Sequence, residues 1–495
     1  MSDDASPDAV PPELGTPELG TPEQGTPDGG RRDPGLLGID AERGLSREIW
    51  RLAIPAVLQN LFQTAQFFVD TKMISAFGGE DPVPLAAIAV VGPLCWSLAV
   101  IFTISSVGAT ALVARRIGEG RHADATATMS VALAIAFLAG AVVTLLGAPL
   151  RDAGLAFFTH LYGGEGGEAV TAAAAGYLKW YFLLFPFRSL LVTLESSLRG
   201  AGESMLPFWG GILSNVANIG GNALLIFGMW GFPRLGVEGA GLSTALAPCI
   251  ELLFLVAVLG MTRNPRVRLR FAIWRDWSRR TAGELLRICG PALGGAVIFH
   301  SGFIVYQAAI FGLPASEIAG HRVAITLQAF GFLSAAGFYA SAASLSGRIL
   351  GTGDRDLALR AARRNALSGV LFAAPISLAF FIAAPFLVRL LTEVPETIVV
   401  ATFCLRLGAI EIPFLTLTES LNGTLRGAGA TRAPMIITAI GTWGMRVPLS
   451  WFLAHTLGLG LAGVWWSTVA DWAVRSVLTA REVRRAAWVG TEVGG

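Results

Sequence analysis

Apolar runs of about 20 residues or more, each long enough to cross a hydrocarbon core of roughly 30 Å, alternate with short polar connections from residue 48 almost to the end of the chain. The pattern predicts spans over 48–75, 84–113, 124–149, 169–198, 204–229 and 237–261, then over 284–311, 317–347, 359–390, 395–425, 431–456 and 460–485. Ahead of them, residues 1–46 repeat Pro-Glu-x-Gly-Thr from Pro12 to Thr26. Such a mixture has too little apolar surface to offset its ordering entropy, so a disordered acidic tail is expected there. It lacks the basic start and apolar core of a signal peptide.

Composition supports a bilayer setting. Over 495 residues the mean hydropathy is +0.59 and only 15% of side chains are charged, against roughly 25% in soluble domains. The net charge of +2 hides an asymmetry, because residues 1–47 hold ten acidic and four basic side chains and leave the excess of arginine to the membrane part. That excess is concentrated in alternate connections: Arg115, Arg116 and Arg121; eight arginines over 263–287; Arg348, Arg355, Arg360, Arg363 and Arg364. By the positive-inside rule these loops and both termini are cytoplasmic, as expected for a multi-pass protein of the plasma membrane. Arginines facing an anionic leaflet account for the basic excess, and no basic face interleaved with aromatics points to nucleic acid. Cys95, Cys249, Cys289 and Cys404 are scattered singly, without disulfide or metal-site spacing.

The chain is a duplication. Leu198-Arg199-Gly200-Ala201-Gly202 returns as Leu425-Arg426-Gly427-Ala428-Gly429, and Pro186 and Pro207 return as Pro413 and Pro434, all at an offset of 227 residues. Glu48, Arg51 and Pro55 return as Glu284, Arg287 and Pro291 at 236; Arg115, Gly118 and Gly120 as Arg348, Gly351 and Gly353 at 233; Gly236, Gly239 and Ser243-Thr244 as Gly460, Gly463 and Ser467-Thr468 at 224. Repeats this long are not solenoid units. Six spans per copy is an even number, so the copies enter the membrane in the same sense as parallel repeats. The expected fold is an all-α integral membrane protein of twelve transmembrane helices in two six-helix bundles. Its parts are a tail (1–46), an amino-terminal lobe (47–262), an arginine-rich linker (263–283) with a surface helix near Trp274 and Trp277, a carboxy-terminal lobe (284–485) and a short tail (486–495).

Ionisable or amide side chains inside spans are costly and must find a partner, a wet cavity or a function. Gln59, Gln63, Gln66 and Asp70 lie at i, i+4, i+7 and i+11, on one stripe of the first span. Asn215, Asn218 and Asn222 form another stripe on the fifth, where bundle-holding hydrogen bonds are an equal alternative to a site. Asp70 is read as functional, since such bonding seldom needs a carboxylate. Glu251 in the sixth span is a second ionisable candidate, with a helix-to-helix ion pair as the competing view. Tyr177, with Tyr181 one turn on, is placed toward the same cavity, with interfacial or core aromatics as an equal alternative, and Arg188 is expected to balance Glu195. In the second copy the chemistry differs: Tyr306 stands opposite Asp70 and Arg446 opposite Asn222. His300 and Gln307 share a face of the seventh span, Glu411 is the chief acidic rival to Asp70, and Asp471 with Arg475 forms an i, i+4 ion pair. No phosphate-binding loop, zinc-protease motif or nucleophile elbow is present, so neither ATP-driven pumping nor hydrolysis is supported, and the protein is read as no enzyme.

Several of these residues, in this order, resemble a known family, the multidrug and toxic compound extrusion (MATE) transporters. The resemblance is carried by Ile54-Pro55, Val69-Asp70-Thr71, the stretch from Ala114 to Gly120, both Leu-Arg-Gly-Ala-Gly phrases, Leu224 to Gly228 and Arg446-Val447-Pro448-Leu449. It implies a V-shaped molecule exporting amphipathic, often cationic, drugs in exchange for H⁺ or Na⁺, with no other cofactor. The sequence is most similar to the DinF-like branch, where an aspartate of the first helix and an Asn-x-x-x-Asp pair of the fifth form the coupling site. Asp70 matches the first and Asn218 the asparagine, while Asn222 replaces the second aspartate. The acidic residue that NorM-like members carry on the seventh helix is not found.

The expectation is therefore a monomeric secondary antiporter, working by alternating access. Asp70, Asn218, Asn222 and Glu251 are placed at ion coupling, and Gln59, Gln63, Gln66, Asn215, Tyr177, His300, Gln307 and Glu411 along the cavity of a small organic, cationic substrate. The alternative within transport is a flippase for a lipid-linked saccharide or peptidoglycan precursor, which shares the architecture but would need several cations around its pyrophosphate. A membrane scaffold using the acidic tail as a binding arm is the alternative from another class.

Overall fold

The computed structural model describes residues 41–162, 167–262 and 277–490, and every regular element among them is helical. In the first copy these are α1 (Ala41–Gly78), α2 (Val83–Leu98) running through a 3₁₀ turn (Ala99–Phe102) into α3 (Thr103–Gly118), α4 (His122–Leu145), α5 (Gly147–Tyr162), α6 (Gly167–Leu183), α7 (Phe185–Gly200), α8 (Met205–Phe227) and α9 (Val237–Met261). The second copy has α10 (Arg279–Phe311), α11 (Ala315–Thr352), α12 (Arg355–Ile382), α13 (Ala384–Arg389), α14 (Pro395–Gly427), α15 (Arg432–Ala439), α16 (Val447–Trp451) and α17 (Gly460–Arg485). Among the described residues nine helices are long and apolar enough to cross a membrane, the stretch from Val83 to Gly118 counting as one.

The three expected spans outside that set fail for visible reasons. The stretch 169–198 is cut at Leu184, two residues before Pro186, into α6 and α7, each too short alone. In 431–456 the α-helix gives way to π-helical turns at Ile440–Arg446 and Phe452–Thr456. The last, α17, is unbroken but polar, with Asp471 and Arg475 in its middle and Arg481, Glu482, Arg484 and Arg485 near its end. The repeat also fixes where helices break. Pro149 and Pro385, equivalent at an offset of 236, follow the breaks between α4 and α5 and between α12 and α13, where a proline removes a backbone donor.

Three boundaries differ from expectation. Helix α1 begins at Ala41, and Leu45 is buried beside Ile49 and Leu52, so the tail ends before residue 41; residues 1–40 lie outside the described residues. Most of the linker also lies outside them, Trp274 included, and its end is already helix: Ser278 caps α10 by accepting from the Thr281 amide. After α17, Trp488 and Val489 pack into the same cluster as Leu45, and Trp488 Nε1 donates to the Val483 carbonyl at 3.0 Å. Burial of these apolar groups docks the chain end instead of leaving it as a tail.

The described residues belong to one compact unit, and the copies meet along repeat-related contacts. At one end of the bundle α3 crosses α11 so closely that a Cβ on Gly118 would overlap the Arg348 carbonyl and one on Gly351 the Arg115 carbonyl. Two ion pairs flank this crossing. Arg348 reaches Glu48 of the other copy at 2.9 Å, and Arg116 reaches Glu284 at 2.9 Å, the two glutamates being repeat mates. Arg51 adds a second bond to Glu48 at 2.6 Å and one to the Gly202 carbonyl at 2.9 Å.

Because the crossing admits no side chain, Gly118→Ala and Gly351→Ala are each expected to destabilise the folded protein by about 1–3 kcal/mol through overpacking. Gly220→Ala, on an open helix face, is expected to be neutral or mildly stabilising. Thermal unfolding of the solubilised protein measures the difference, and equal effects at all three positions would refute the crossing.

Candidate functional site

Helices α1, α8 and α9 bring the first polar cluster together. Asn222 Nδ2 donates to Asp70 Oδ1 at 2.6 Å, and Gln66, one turn before Asp70, is the carboxylate's other side-chain partner. Behind them Asn222 donates to Asn218 Oδ1 at 3.2 Å, Asn218 to Thr244 Oγ1 at 3.3 Å, and Ser243 to the Asn218 carbonyl at 2.8 Å. Tyr177 reaches the same Thr244 hydroxyl. Among the described residues no lysine or arginine belongs to this set, so the charge of half-buried Asp70 is met by amides alone. The approach of α9 to α8 depends on Gly221, where a Cβ would stand 2.5 Å from the Ser243 hydroxyl.

The stripe on α1 serves two clusters. Gln59 turns to α7, where its Nε2 donates to Glu195 Oε1 at 2.5 Å and its Oε1 accepts from Arg199 at 3.1 Å. Arg199 closes the ring on Glu195 Oε2 at 3.0 Å. The expected pairing of Glu195 with Arg188 is therefore corrected: the shorter i, i+4 step brings Arg199 into reach, and Arg188 lies over the Tyr181 ring. Glu251 on α9 lies against Glu195, not beside Asp70. Gln63 is exposed and Asn215 half-buried.

A cavity of about 800 Å³ lies mostly within the second copy, with Thr64 and Trp96 contributed by the first. Its walls are aromatic, with Trp96, Phe299, Phe303, Tyr306, Phe332 and Trp472, and its polar groups include His300, His321, Gln328, Glu411, Arg446 and Arg475. Thr468 Oγ1 donates to buried Glu411 at 2.7 Å, the role that its repeat mate Thr244 has beside Asn218 in reverse. Asp471, fully buried, lies 2.8 Å from Arg446 and 2.5 Å from Arg475, and Arg475 also donates to Thr442 at 2.6 Å. The π-helical turn at Ile440–Arg446 carries Thr442 and Arg446 of this cluster, an irregularity that recurs at functional sites. His300 packs against Trp96 with ring centroids 4.0 Å apart and the rings tilted by 47°.

Of the residues expected along a cavity, His300 and Glu411 line this one. Gln59, Gln63, Gln66, Asn215 and Tyr177 belong to the first copy and do not, and Gln307, on the same helix face as His300, has its Oε1 buried without a hydrogen-bond partner away from the lining. Sequence reading missed Trp96, His321 and Gln328. His321 is 4% exposed with neither ring nitrogen bonded. Its signal was available, a histidine inside an apolar span.

The MatE family model matches residues 55–224 and 291–452, beginning in both copies at the repeat-related prolines Pro55 and Pro291. The chain belongs to the MatE family. Among MatE relatives, the multidrug resistance protein PmpM of Pseudomonas aeruginosa is 28% identical over 424 residues, covering 83% of this chain and 84% of that one. A protein of Thermotoga maritima named "Probable multidrug resistance protein NorM" is 27% identical over 434 residues, covering 88% and 91%. In fold, the chain matches a MOP-superfamily transporter of Pyrococcus furiosus described as having a binding pocket of reverse polarity, with a TM-score of 0.80, 21% identity and coverage of 93% and 99%. It matches the bent form of the Vibrio cholerae MATE transporter VcmN with a TM-score of 0.78, 19% identity and coverage of 91% and 99%. MatE proteins are membrane transporters, and these relatives are named for multidrug resistance.

The Arg446–Asp471–Arg475 cluster gives a stability test. Asp471→Asn leaves two buried guanidinium groups without their carboxylate and is expected to cost about 3–5 kcal/mol, whereas Glu411→Gln keeps an acceptor for Thr468 and is expected to cost far less. Thermal unfolding in detergent compares them, and equal losses would mean that Asp471 does not hold the two arginines.

Proposed function

We propose that this MatE protein exports amphipathic organic cations in exchange for H⁺ or Na⁺, with Asp70 as the coupling carboxylate. The observation that carries the reading is the Asp70 environment: a carboxylate tied to Asn222 and Gln66 with no cationic partner among the described residues. A charge so placed in a bilayer is uncompensated, and an incoming proton or sodium ion supplies what the protein withholds. Loading Asp70 changes the α1–α8 contact, and a ligand that discriminates between two arrangements of that contact shifts their populations. The aromatic cavity receives the substrate, since ring faces such as those of Trp96, Phe303 and Phe332 attract organic cations.

In this reading the chain has twelve transmembrane helices in two parallel six-helix lobes, both termini cytoplasmic, acts as a monomer in the plasma membrane, and belongs to the DinF-like branch. The Glu48–Arg348 and Glu284–Arg116 pairs then sit at the arginine-rich, cytoplasmic end, where they tie the two copies together. The flippase alternative is less well supported. Arg446 and Arg475 are committed to Asp471, which leaves few cations for a pyrophosphate, and the relatives above are named for multidrug resistance.

Proteoliposomes with a proton gradient or a sodium gradient imposed separately test the proposal. The wild type is expected to export an organic cation dye under one of the two gradients, and Asp70→Asn to reduce gradient-driven export to the level of empty vesicles while dye still binds. Undiminished export by Asp70→Asn would reject the assignment of the coupling residue.

A further inference from the structure

We propose that Glu251 and Glu195 hold one exchangeable proton between them, which makes the contact of α7 with α9 a second proton site, apart from Asp70. The inference rests on the antiport reading and deepens it. Glu195 has both carboxylate oxygens engaged, Oε1 by Gln59 at 2.5 Å and Oε2 by Arg199 at 3.0 Å, and Arg199 also bonds Gln59 at 3.1 Å. That three-membered ring is neutral as it stands, one carboxylate against one guanidinium. Glu251, 3% exposed, lies against Glu195 and Ser214, and its Oε1 is buried with no hydrogen-bond donor. The groups facing Glu251 from the packed helices are Glu195 and Arg199 of α7 and Ser214 of α8, with Gln59 of α1 behind Glu195. Two carboxylates thus share one guanidinium, and among the described residues the second negative charge has no counter-ion of its own.

Two carboxylates in contact cannot both remain ionised in a buried place, and the pair resolves by keeping one proton. Loading is H⁺ plus the Glu251 carboxylate giving the Glu251 carboxylic acid, which then donates toward Glu195 or Ser214; release is the reverse, with no redox change. A metal cation fits poorly. Both Glu195 oxygens are already used, and Gly210 approaches so closely that a Cβ there would stand 3.0 Å from Glu251 Oε1, so the oxygen shell that an alkali cation requires is not assembled.

Infrared difference spectroscopy of the reconstituted full-length protein, acidic minus alkaline pH, reads the carboxylic-acid C=O band directly. The wild type is expected to show a band that Glu251→Gln removes and Asp70→Asn retains. Glu195→Gln is expected to keep that band but move the pH at which it appears, because the neighbouring charge is gone. A Glu251→Gln spectrum identical to the wild type would overturn the proposal, as would loss of the band on adding Na⁺ at constant pH, which would assign a metal cation instead. If Glu251→Gln is not monodisperse, Glu195→Gln decides alone: an unmoved band overturns the proposal. Because this readout is not transport, normal export by Asp70→Asn with the Glu251 band intact would reject the Asp70 assignment and leave the carboxyl pair standing.

Discussion

Everything polar inside this protein is arranged around the cost of holding charge where water is scarce. A lone ion at the centre of a bilayer is disfavoured by roughly 2.5–3.5 kcal/mol on insertion scales, and each buried charge here is met in a different way. Asp471 is met by two arginines, Glu195 by an arginine and an amide, Glu411 by a hydroxyl and the Gln328 amide with Arg446 nearby, and Asp70 by amides only. The graded completeness of these partnerships separates structure from chemistry. A cluster whose charges are fully answered holds helices together and has little reason to exchange anything, whereas an incompletely answered carboxylate has a standing affinity for a mobile cation.

Gene duplication supplied the same positions twice, and the two copies fill them with opposite chemistry. The contact between Asp70 and Asn222 is repeated in place by Tyr306 and Arg446, where the guanidinium lies 5.7 Å from the ring centroid. Glu251 is answered by Arg475, Glu195 by Asn422, and only Arg199 is answered in kind, by Arg426. The backbone geometry that brings α1 to α8 also brings α10 to the segment after α15. What differs is the sign of charge that the contact presents. An acidic interior in one copy and a mixed, aromatic, arginine-bearing cavity in the other would give the proposed antiporter a site for small cations apart from its chamber for a larger organic molecule.

How far this was legible from residues alone follows from the range of each interaction. The repeat, the apolar runs and the proline breaks were readable because they depend on neighbours along the chain, and the i, i+4 pair of Asp471 with Arg475 was readable for the same reason. Arg446 joining that pair was not, since it arrives from another helix through a π-helical turn that no apolar pattern announces. The stripe of Gln59, Gln63, Gln66 and Asp70 was placed on one face, yet its members serve different partners, because a stripe states direction and not which helix stands opposite. The choice of Arg199 over Arg188 for Glu195 likewise turned on which of two spacings on one helix closes a ring with a third side chain from α1.

Helix α1 gathers the consequences. Glu48, Gln59 and Asp70 follow one another at intervals of eleven residues, three turns each, and so fall close to a single line along the helix. Glu48 holds the other copy through Arg348, Gln59 holds the Glu195 ring, and Asp70 holds Asn222. At 1.5 Å per residue the line is roughly 33 Å long, about the thickness of a hydrocarbon core. A rotation or tilt of α1 that relieves one of these contacts therefore acts on the other two, so in the antiport mechanism proposed above cation loading near one end and opening of the ion-paired crossing at the other would need no relay of intervening side chains. The two-state element that such coupling requires is the helix itself, with three sets of polar contacts biasing the same displacement.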